Sequence, residues 1–386
     1  MPLIIKTAKN NHLTGKSDDD RSDKLFLFFV IAIAAYGTVM VCSAGCAYAA
    51  FRYDDGFYFM KKQAIWILLG ISAMIFACRI RIDFIKRLTV PIYLITIALL
   101  ILTLIFGFVG NGAQRWISIG PLTVQPSEIA KLSLVLMLAK YFSENEGRIS
   151  GKNKRSVFIF GTVLPLLITC APILLVMLQK HLSCIIILGA IGVIMIFVSG
   201  TSVKYLGIFG AIGAGGVSYL ALFTEYTKER ITVWRNPEAY KLTGGWQTLQ
   251  GLMAIGSGGI FGVGLGNSVL KHCYVSEPAN DMIFAILCEE LGFVGAVAAL
   301  LLFALLIFRG CRIAFRACDT FSRLTAFGIM AKCAIQVLLN VAVVTNSIPN
   351  TGISLPFFSY GGSSLIMVFF EMGLLLGISK RSQIIK

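Results

Sequence analysis

The stretch "YVSEPANDMIFAILCEELGF", residues 274–293, carries the strongest indication of fold class in this chain. A polar segment ends at Asp281, an apolar run begins at once, and Glu289 and Glu290 lie inside that run. Ionised side chains within a membrane helix are costly, so they are normally paired or functional. The stretch therefore predicts a membrane helix with a polar site at one end and buried, partnered carboxylates further along.

Composition outside this stretch points the same way. Of the 386 residues, 57% are hydrophobic and only 14% are charged. Apolar runs near or above ~18 residues recur, which is long enough to cross a hydrocarbon core about 30 Å thick. Because a spanning segment must satisfy its own backbone hydrogen bonds, these runs predict helices and an all-α polytopic membrane protein. We expect ten spans, with approximate bounds 24–48, 61–79, 88–109, 127–142, 156–177, 182–199, 203–223, 281–308, 321–347 and 356–379.

The basic residues set the orientation of the spans. If the N-terminus lies inside and the sides alternate, the inner segments hold most of the 34 Lys and Arg residues. This is the positive-inside pattern, and it places both termini in the cytoplasm. The net charge of +15 then follows mostly from topology and suits an anionic lipid surface. Because the basic residues are scattered over short loops, the sequence does not favour nucleic-acid binding.

The domain organisation is expected to be simple. Residues 1–23 are polar and predict a short disordered cytoplasmic tail, and 24–386 form a single ten-helix domain. The segment 224–280 is a large extracytoplasmic loop, and a loop of that length is usually functional. Within it, "GLMAIGSGGIFGVGLGNS" (251–268) has spaced glycines, but no strand precedes them and no acidic ribose partner follows. A segment along or dipping into the membrane interface is the better interpretation.

The first of three polar constellations is "NGAQRWISIGPLTVQPSEIAKLSL", residues 111–134, which re-enters the membrane from the outer side. Trp116 is either an interfacial anchor or a site residue, and Arg115 lies beside it. Ser127 is a plausible N-cap of the fourth span. Glu128 and Lys131 are three apart and share a helical face. They either pair with each other or, as intramembrane charges, serve a wet cavity.

The second constellation is the opening stretch. Asp281 is either an ordinary acid at a helix N-terminus, favoured by the dipole, or a group that reaches outer solvent and a membrane-bound substrate together. Glu289 lies about 80° round the helix and ~12 Å deeper, and Glu290 lies on the opposite side from Asp281. The three carboxylates therefore cannot form one cluster, and the two glutamates are expected to be structural.

The third constellation is "PNTGISLPFFSYGGSSL", residues 349–365. Its prolines and glycines forbid a continuous helix. The segment is either a kinked entry turn or, with Ser359, one wall of an outward-facing pocket. All three constellations fall on the outer side in the topology that charge alone selects, so we expect them to surround one site.

Four ordered blocks, "GAQRWI…VQPSEIAKL", "AIGSGGIFGVGLGNS", "ANDMIFAILCEELGF" and "GISLPFFSYGGSS", resemble the signatures of the SEDS family (shape, elongation, division, sporulation). The resemblance runs from about residue 24 to the C-terminus. It implies ten spans in the cytoplasmic membrane and a lipid II-dependent peptidoglycan glycosyltransferase that works with a class B penicillin-binding protein. The blocks "GVGLGNS" and "EPANDMIFAI" are closer to the FtsW and SpoVE branch than to RodA.

The resemblance also implies roles for particular residues. Asp281 matches the family's essential carboxylate in a segment usually written H-T-D-F-I-F-A. In this chain Ala279 and Asn280 precede it, and Met282 replaces the phenylalanine. The family positions that serve the outward cavity are matched by Arg115, Trp116, Glu128 and Lys131.

The expected chemistry is attack of a sugar 4-hydroxyl on an anomeric carbon, with departure of a lipid diphosphate. One carboxylate base suffices for direct displacement with inversion, and Asp281 is the candidate. The leaving diphosphate needs positive charge, which a divalent cation (Mg or Mn) or basic side chains would supply. The basic candidates are Arg115, Lys131, Arg235, Lys241 and Lys271.

Two alternatives remain open at the level of sequence. A lipid II flippase would also carry intramembrane charges, but those are expected near the midplane on broken helices in both halves. A non-enzymatic scaffold for a class B penicillin-binding protein would make no glycan by itself.

Overall fold

The computed structural model describes residues 23–110, 113–119, 122–149, 151, 153–201, 207 and 225–384. Three short strands and a four-residue 3-10 turn, Pro237–Tyr240, accompany the helices. The helices are α1 Lys24–Tyr53, α2 Tyr58–Arg79, α3 Ile82–Phe106, α4 Pro126–Glu144, α5 Glu146–Ile149, α6 Lys154–Leu178, α7 Leu182–Val198, α8 Glu225–Arg235, α9 Trp246–Ser257, α10 Ile283–Arg316, α11 Thr320–Val344 and α12 Gly362–Ile384. Residues 159–163 of α6 form a π turn.

Nine of the ten predicted spans correspond to helices within the described ranges. The predicted seventh span, 203–223, lies outside them apart from residue 207, and so does the predicted tail apart from Asp23, which caps α1. Seven described helices are long and apolar enough to cross a membrane: α1, α2, α3, α6, α10, α11 and α12. The chain is therefore a mostly helical, multi-pass membrane protein.

Helix α4 lies in the middle of the bundle. It is buried along most of its length and packs against α3, α6, α7 and α11. Its Glu128 and Lys131 are buried in the bundle, and both would be unfavourable in contact with lipid. Its central position explains how a short helix with these charges is accommodated.

A small antiparallel sheet was missed by the all-α expectation. The strands β1 Phe108–Gly110, β2 Ala113–Ile119 and β3 Leu122–Val124 pair in the order β1-β2-β3 between α3 and α4. Trp116 is in register with Phe108, and Ile117 with Val124. The strands are too short for a clear alternating pattern, so the segment looked like a loop in the sequence.

Helix α10 is broken at Gly292, whose φ is +65°. The segment after α9 fills the break: the amides of Val263 and Gly264 donate to the carbonyls of Glu289 and Glu290 at 3.0 and 2.9 Å. In return, the amides of residues 293 and 294 donate to the carbonyls of residues 259 and 260 at 2.9 and 3.1 Å. A Cβ at Gly292 would collide with the backbone of residue 262. The glycine-rich segment thus completes the backbone hydrogen bonds of a broken membrane helix.

Candidate functional site

Asp281 lies in a turn immediately before α10. The helix begins at Ile283 rather than at Asp281, and its N-cap, Met282, makes no side-chain capping bond. The Asp281 carboxylate accepts hydrogen bonds from Nε2 of Gln247, in the first turn of α9, at 3.3 and 3.4 Å. The predicted start of this span at Asp281 is therefore two residues too early.

Amide side chains build the support around Asp281. The Nδ2 group of Asn350 donates to Oε1 of Gln247 at 3.1 Å, which orients the amide that faces the carboxylate. From α11, Nδ2 of Asn340 donates to the carbonyl of Asp281 at 3.0 Å and to the carbonyl of Ile353 at 2.7 Å. These bonds tie three separate segments of the chain to one residue.

The third constellation meets Asp281 directly, as predicted. No helix lies between Val344 and Gly362, and a Cβ on Gly352 would lie 3.6 Å from Oδ2 of Asp281. Ser359 is buried, and its hydroxyl donates to the carbonyl of Asn280 at 2.7 Å. Ser359 therefore fixes the backbone before Asp281 through a buried hydrogen bond and does not face an open pocket.

The electrostatic environment makes Asp281 a stronger base than an ordinary aspartate. Burial and the negative charge of Glu277 raise its pKa to about 6, against smaller opposing effects of Gln247 and Arg230. Arg230, from α8, donates to the carbonyl of Asn350. A carboxyl group that titrates near the operating pH suits a general base.

The two glutamates inside α10 are structural, as expected. Glu290 accepts hydrogen bonds from Nζ of Lys271 at 2.9 Å and from the hydroxyl of Ser43 at 2.7 Å. Glu289 accepts from the backbone amide of Val269 at 2.9 Å. Lys271, a sequence candidate for substrate contact, is buried in this ion pair and is bonded to Glu290 instead of being brought to Asp281.

In the first constellation, Glu128 and Lys131 form a buried ion pair at 2.7 Å. The N-cap prediction for Ser127 is wrong: α4 begins at Pro126, and the N-cap is Gln125. Proline is favoured at the first helical position because its missing amide would have no partner there.

Arg115 and Trp116 both lie on β2 and are both half-buried. The Arg115 guanidinium donates to the carbonyl of Lys180, in the turn between α6 and α7, at 2.6 Å. Among the described contacts neither Arg115 nor Lys131 bonds Asp281. Arg115 and Lys131 are connected to the surroundings of Asp281 only indirectly, at the start of α7. There the hydroxyl of Ser183 donates to the carbonyl of Thr351.

Several residues of the site were missed from sequence. Lys332 of α11 and Glu371 of α12 form a second buried ion pair at 2.7 Å, within electrostatic reach of Glu128 and Lys131. The sequence signal that could have identified this pair was an isolated glutamate, Glu371, within an apolar run. Arg230 was also missed, whereas Arg235 and Lys241, the loop cations proposed from sequence, are exposed.

The described residues contain no group of three or more His, Cys, Asp or Glu side chains placed to hold a metal ion.

Comparison with known proteins gives matches over nearly the whole chain. A family model described as a cell cycle protein and labelled for FtsW, RodA and SpoVE matches residues 23–384. Stage V sporulation protein E of Bacillus subtilis is 39% identical over 363 residues, covering 94% of this chain and 98% of that protein. A probable peptidoglycan glycosyltransferase FtsW of Geobacter sulfurreducens is 36% identical over 365 residues, covering 94% and 96%.

Solved structures show the same relationship. A chain in a peptidoglycan synthase complex, described for its coordination of polymerization and crosslinking, has a TM-score of 0.78 and 28% identity, covering 94% of this chain and 98% of its own. The crystal structure of the rod shape determining protein RodA of Thermus thermophilus has a TM-score of 0.69 and 29% identity, covering 93% and 96%.

Proposed function

This chain belongs to the FtsW/RodA/SpoVE family of cell cycle proteins, and from that premise we propose that it is a peptidoglycan glycosyltransferase. Its reaction is the polymerisation of lipid II into glycan strands at the outer face of the cytoplasmic membrane. The names of its relatives support a role in cell division or sporulation. A class B penicillin-binding protein is the proposed partner, in keeping with the synthase complex that contains a similar chain.

In the proposed reaction, Asp281 accepts the proton of a saccharide 4-hydroxyl as that oxygen attacks the anomeric carbon of a lipid-linked sugar. The bond from that carbon to the diphosphate breaks, and the electron pair leaves with the lipid diphosphate. One base on one face gives inversion at the anomeric carbon. The proton passes from Asp281 to water before the next turnover.

The observation that carries this proposal is the setting of the Asp281 carboxylate. It lies outside the apolar helix, accepts hydrogen bonds from Gln247, and is bordered by the broken segment at Gly352. A carboxylate in a tight ion pair would be a weak base, because its pKa would fall. Here the pKa is raised to about 6 instead. Arg115 and Lys131 are proposed to supply positive charge to the leaving group.

The direct test is the Asp281→Asn variant, which keeps the shape and removes the basicity. We expect polymer formation from labelled lipid II to fall by about two to four orders of magnitude, the usual range for loss of a general base. Asp55→Asn is the matched control, because Asp55 is a surface carboxylate that pairs with Lys61. Near wild-type polymerisation by purified Asp281→Asn would show that another group is the base.

The buried pairs Glu128–Lys131 and Lys332–Glu371 keep a lipid transporter as the second candidate, since charges inside a bundle also mark transport pathways. Labelled lipid II in sealed vesicles separates the two functions. A glycosyltransferase makes polymer from lipid in the leaflet that its site faces, whereas a transporter moves the label between leaflets and makes none. Polymer made by the isolated chain also excludes a purely scaffolding role.

A further inference from the structure

The turn that begins α7 is bordered by buried polar atoms that have no protein partner. These atoms are Nε of Arg115, the hydroxyl oxygens of Ser127 and Thr351, Oε2 of Glu128 and Nδ1 of His181. The side chains of Ser127, Glu128, Thr351 and His181 are all more than nine-tenths buried. Buried polar groups are nearly always hydrogen-bonded, so several orphans in one place indicate a polar occupant. We name these five residues the α7 polar cluster.

Contacts between four segments of the chain place the members of the cluster around residues 180–184. Arg115 bonds the carbonyl of Lys180, and Sγ of Cys184 lies 3.9 Å from the carbonyl of Ser127. Ser183, between them, bonds the carbonyl of Thr351. His181 lies within electrostatic reach of Arg115. The cluster is therefore one region, contributed by β2, α4, α7 and the broken segment before α12.

Two helix N-termini meet in the same region. Helix α4 begins at Pro126 and α7 at Leu182, and neither has a side-chain capping bond at its N-cap. The first amides of a helix lack partners within the helix, and they carry the positive end of its dipole. Uncapped helix starts of this kind favour an anion.

The side-chain charges around the cluster also favour an anion. Arg115 and Lys131 outnumber the single carboxylate of Glu128, which already pairs with Lys131 at 2.7 Å. Burial, together with the charges of Arg115 and Lys131, lowers the pKa of His181 well below its usual value, so this imidazole is neutral. A neutral imidazole and two hydroxyls offer hydrogen-bond donors without adding charge. The Nε–H group of Arg115 can only donate, and the hydroxyls and the imidazole can each donate to an anionic oxygen.

We infer that the α7 polar cluster binds the diphosphate of the lipid-linked saccharide. The inference rests on the proposed function, because that reaction supplies a diphosphate-bearing substrate. The cluster is well placed for it: Thr351 precedes Gly352, the residue that borders the Asp281 carboxylate. A diphosphate held here would lie beside the proposed base, while His181, Ser127 and Thr351 would act as positioning residues that fix the leaving group.

Binding without turnover tests the inference. The full-length protein in lipid nanodiscs is titrated with a polyprenyl diphosphate and, separately, with the polyprenyl alcohol of the same chain length. We expect His181→Ala and Thr351→Val each to raise the Kd for the diphosphate about tenfold, the effect of losing one hydrogen bond to a charged group. The Kd for the alcohol should not change. The matched controls are His272→Ala and Thr345→Val, whose side chains are exposed.

Each outcome bears on the inference separately from the proposed function. A diphosphate Kd that is unchanged in the cluster variants would mean that the orphan atoms bind only water, and would overturn the inference. An equal loss of alcohol binding would also overturn it, because the defect would then be in the fold or in binding of the polyprenyl chain. The identity of the base is decided by polymerisation in Asp281→Asn and is not an input to this binding assay.

Discussion

The raised pKa of Asp281 predicts how the rate depends on pH. Only the deprotonated carboxylate can accept the hydroxyl proton, so the rate should fall as pH falls through about 6, the pKa of this group. About 90% of the carboxyl groups are ionised one pH unit above the pKa and about 10% one unit below it. The initial rate of polymerisation at pH 5 should therefore be about one tenth of the rate at pH 7.

The cause of the shift can be tested with a neighbouring residue. Glu277 adds negative charge beside Asp281, and it also accepts a hydrogen bond from Asn280 at 2.5 Å. Glu277→Gln removes the charge while keeping an acceptor, so the pKa of Asp281 should fall and the acid limb of the profile should move to lower pH. Glu277→Asp keeps the charge and is the control.

The assay is the initial rate of polymerisation from labelled lipid II between pH 4.5 and 8 at constant ionic strength. A wild-type acid limb centred near the ordinary aspartate value of about 4 would refute the assignment of a raised pKa. An unchanged limb in Glu277→Gln would show that this residue is not a cause of the shift.

Two further predictions concern stability in a membrane-like environment. Gly292→Ala should lower the apparent Tm and the folded yield, because φ is +65° there and a Cβ would collide with the backbone of Gly262. The control is Gly147→Ala, since no atom lies near the Cβ position of Gly147. Equal Tm values for the two variants would contradict this explanation. Glu371→Gln should destabilise by about 3–5 kcal/mol because it leaves the ammonium of Lys332 buried without its partner. The double change Lys332→Met with Glu371→Met should recover most of that loss of stability. If the double variant is as unstable as the single one, the ion pair itself is needed for stability.

Three features could be predicted because each depends on local pattern: the nine spans that correspond to described helices, the structural role of Glu289 and Glu290, and the broken segment near Ser359. The length of the apolar runs predicts the spans, and the cost of a charge in the membrane predicts that the two glutamates are partnered. The backbone restrictions of proline and glycine predict the broken segment. The meeting of that segment with Asp281 also followed, because the predicted topology put both on the same side of the membrane.

The supports of Asp281 could not be predicted. Gln247, Asn340 and Asn350 are ordinary amides, far apart in sequence, and nothing local distinguishes them from surface residues. Lys271 presented the opposite difficulty: a basic residue in a predicted outer loop indicates a substrate contact, yet its partner is Glu290 of α10. Pairing between distant segments is decided by packing, which no short window of sequence records.

The exchange of backbone hydrogen bonds between α10 and the segment after α9 constrains both sequence variation and engineering. The loop and the helix complete each other's peptide groups, so neither is an independent module. A chimera that replaces the segment after α9 with that of a relative must also bring the break at Gly292. Natural variation in the two segments should accordingly be correlated.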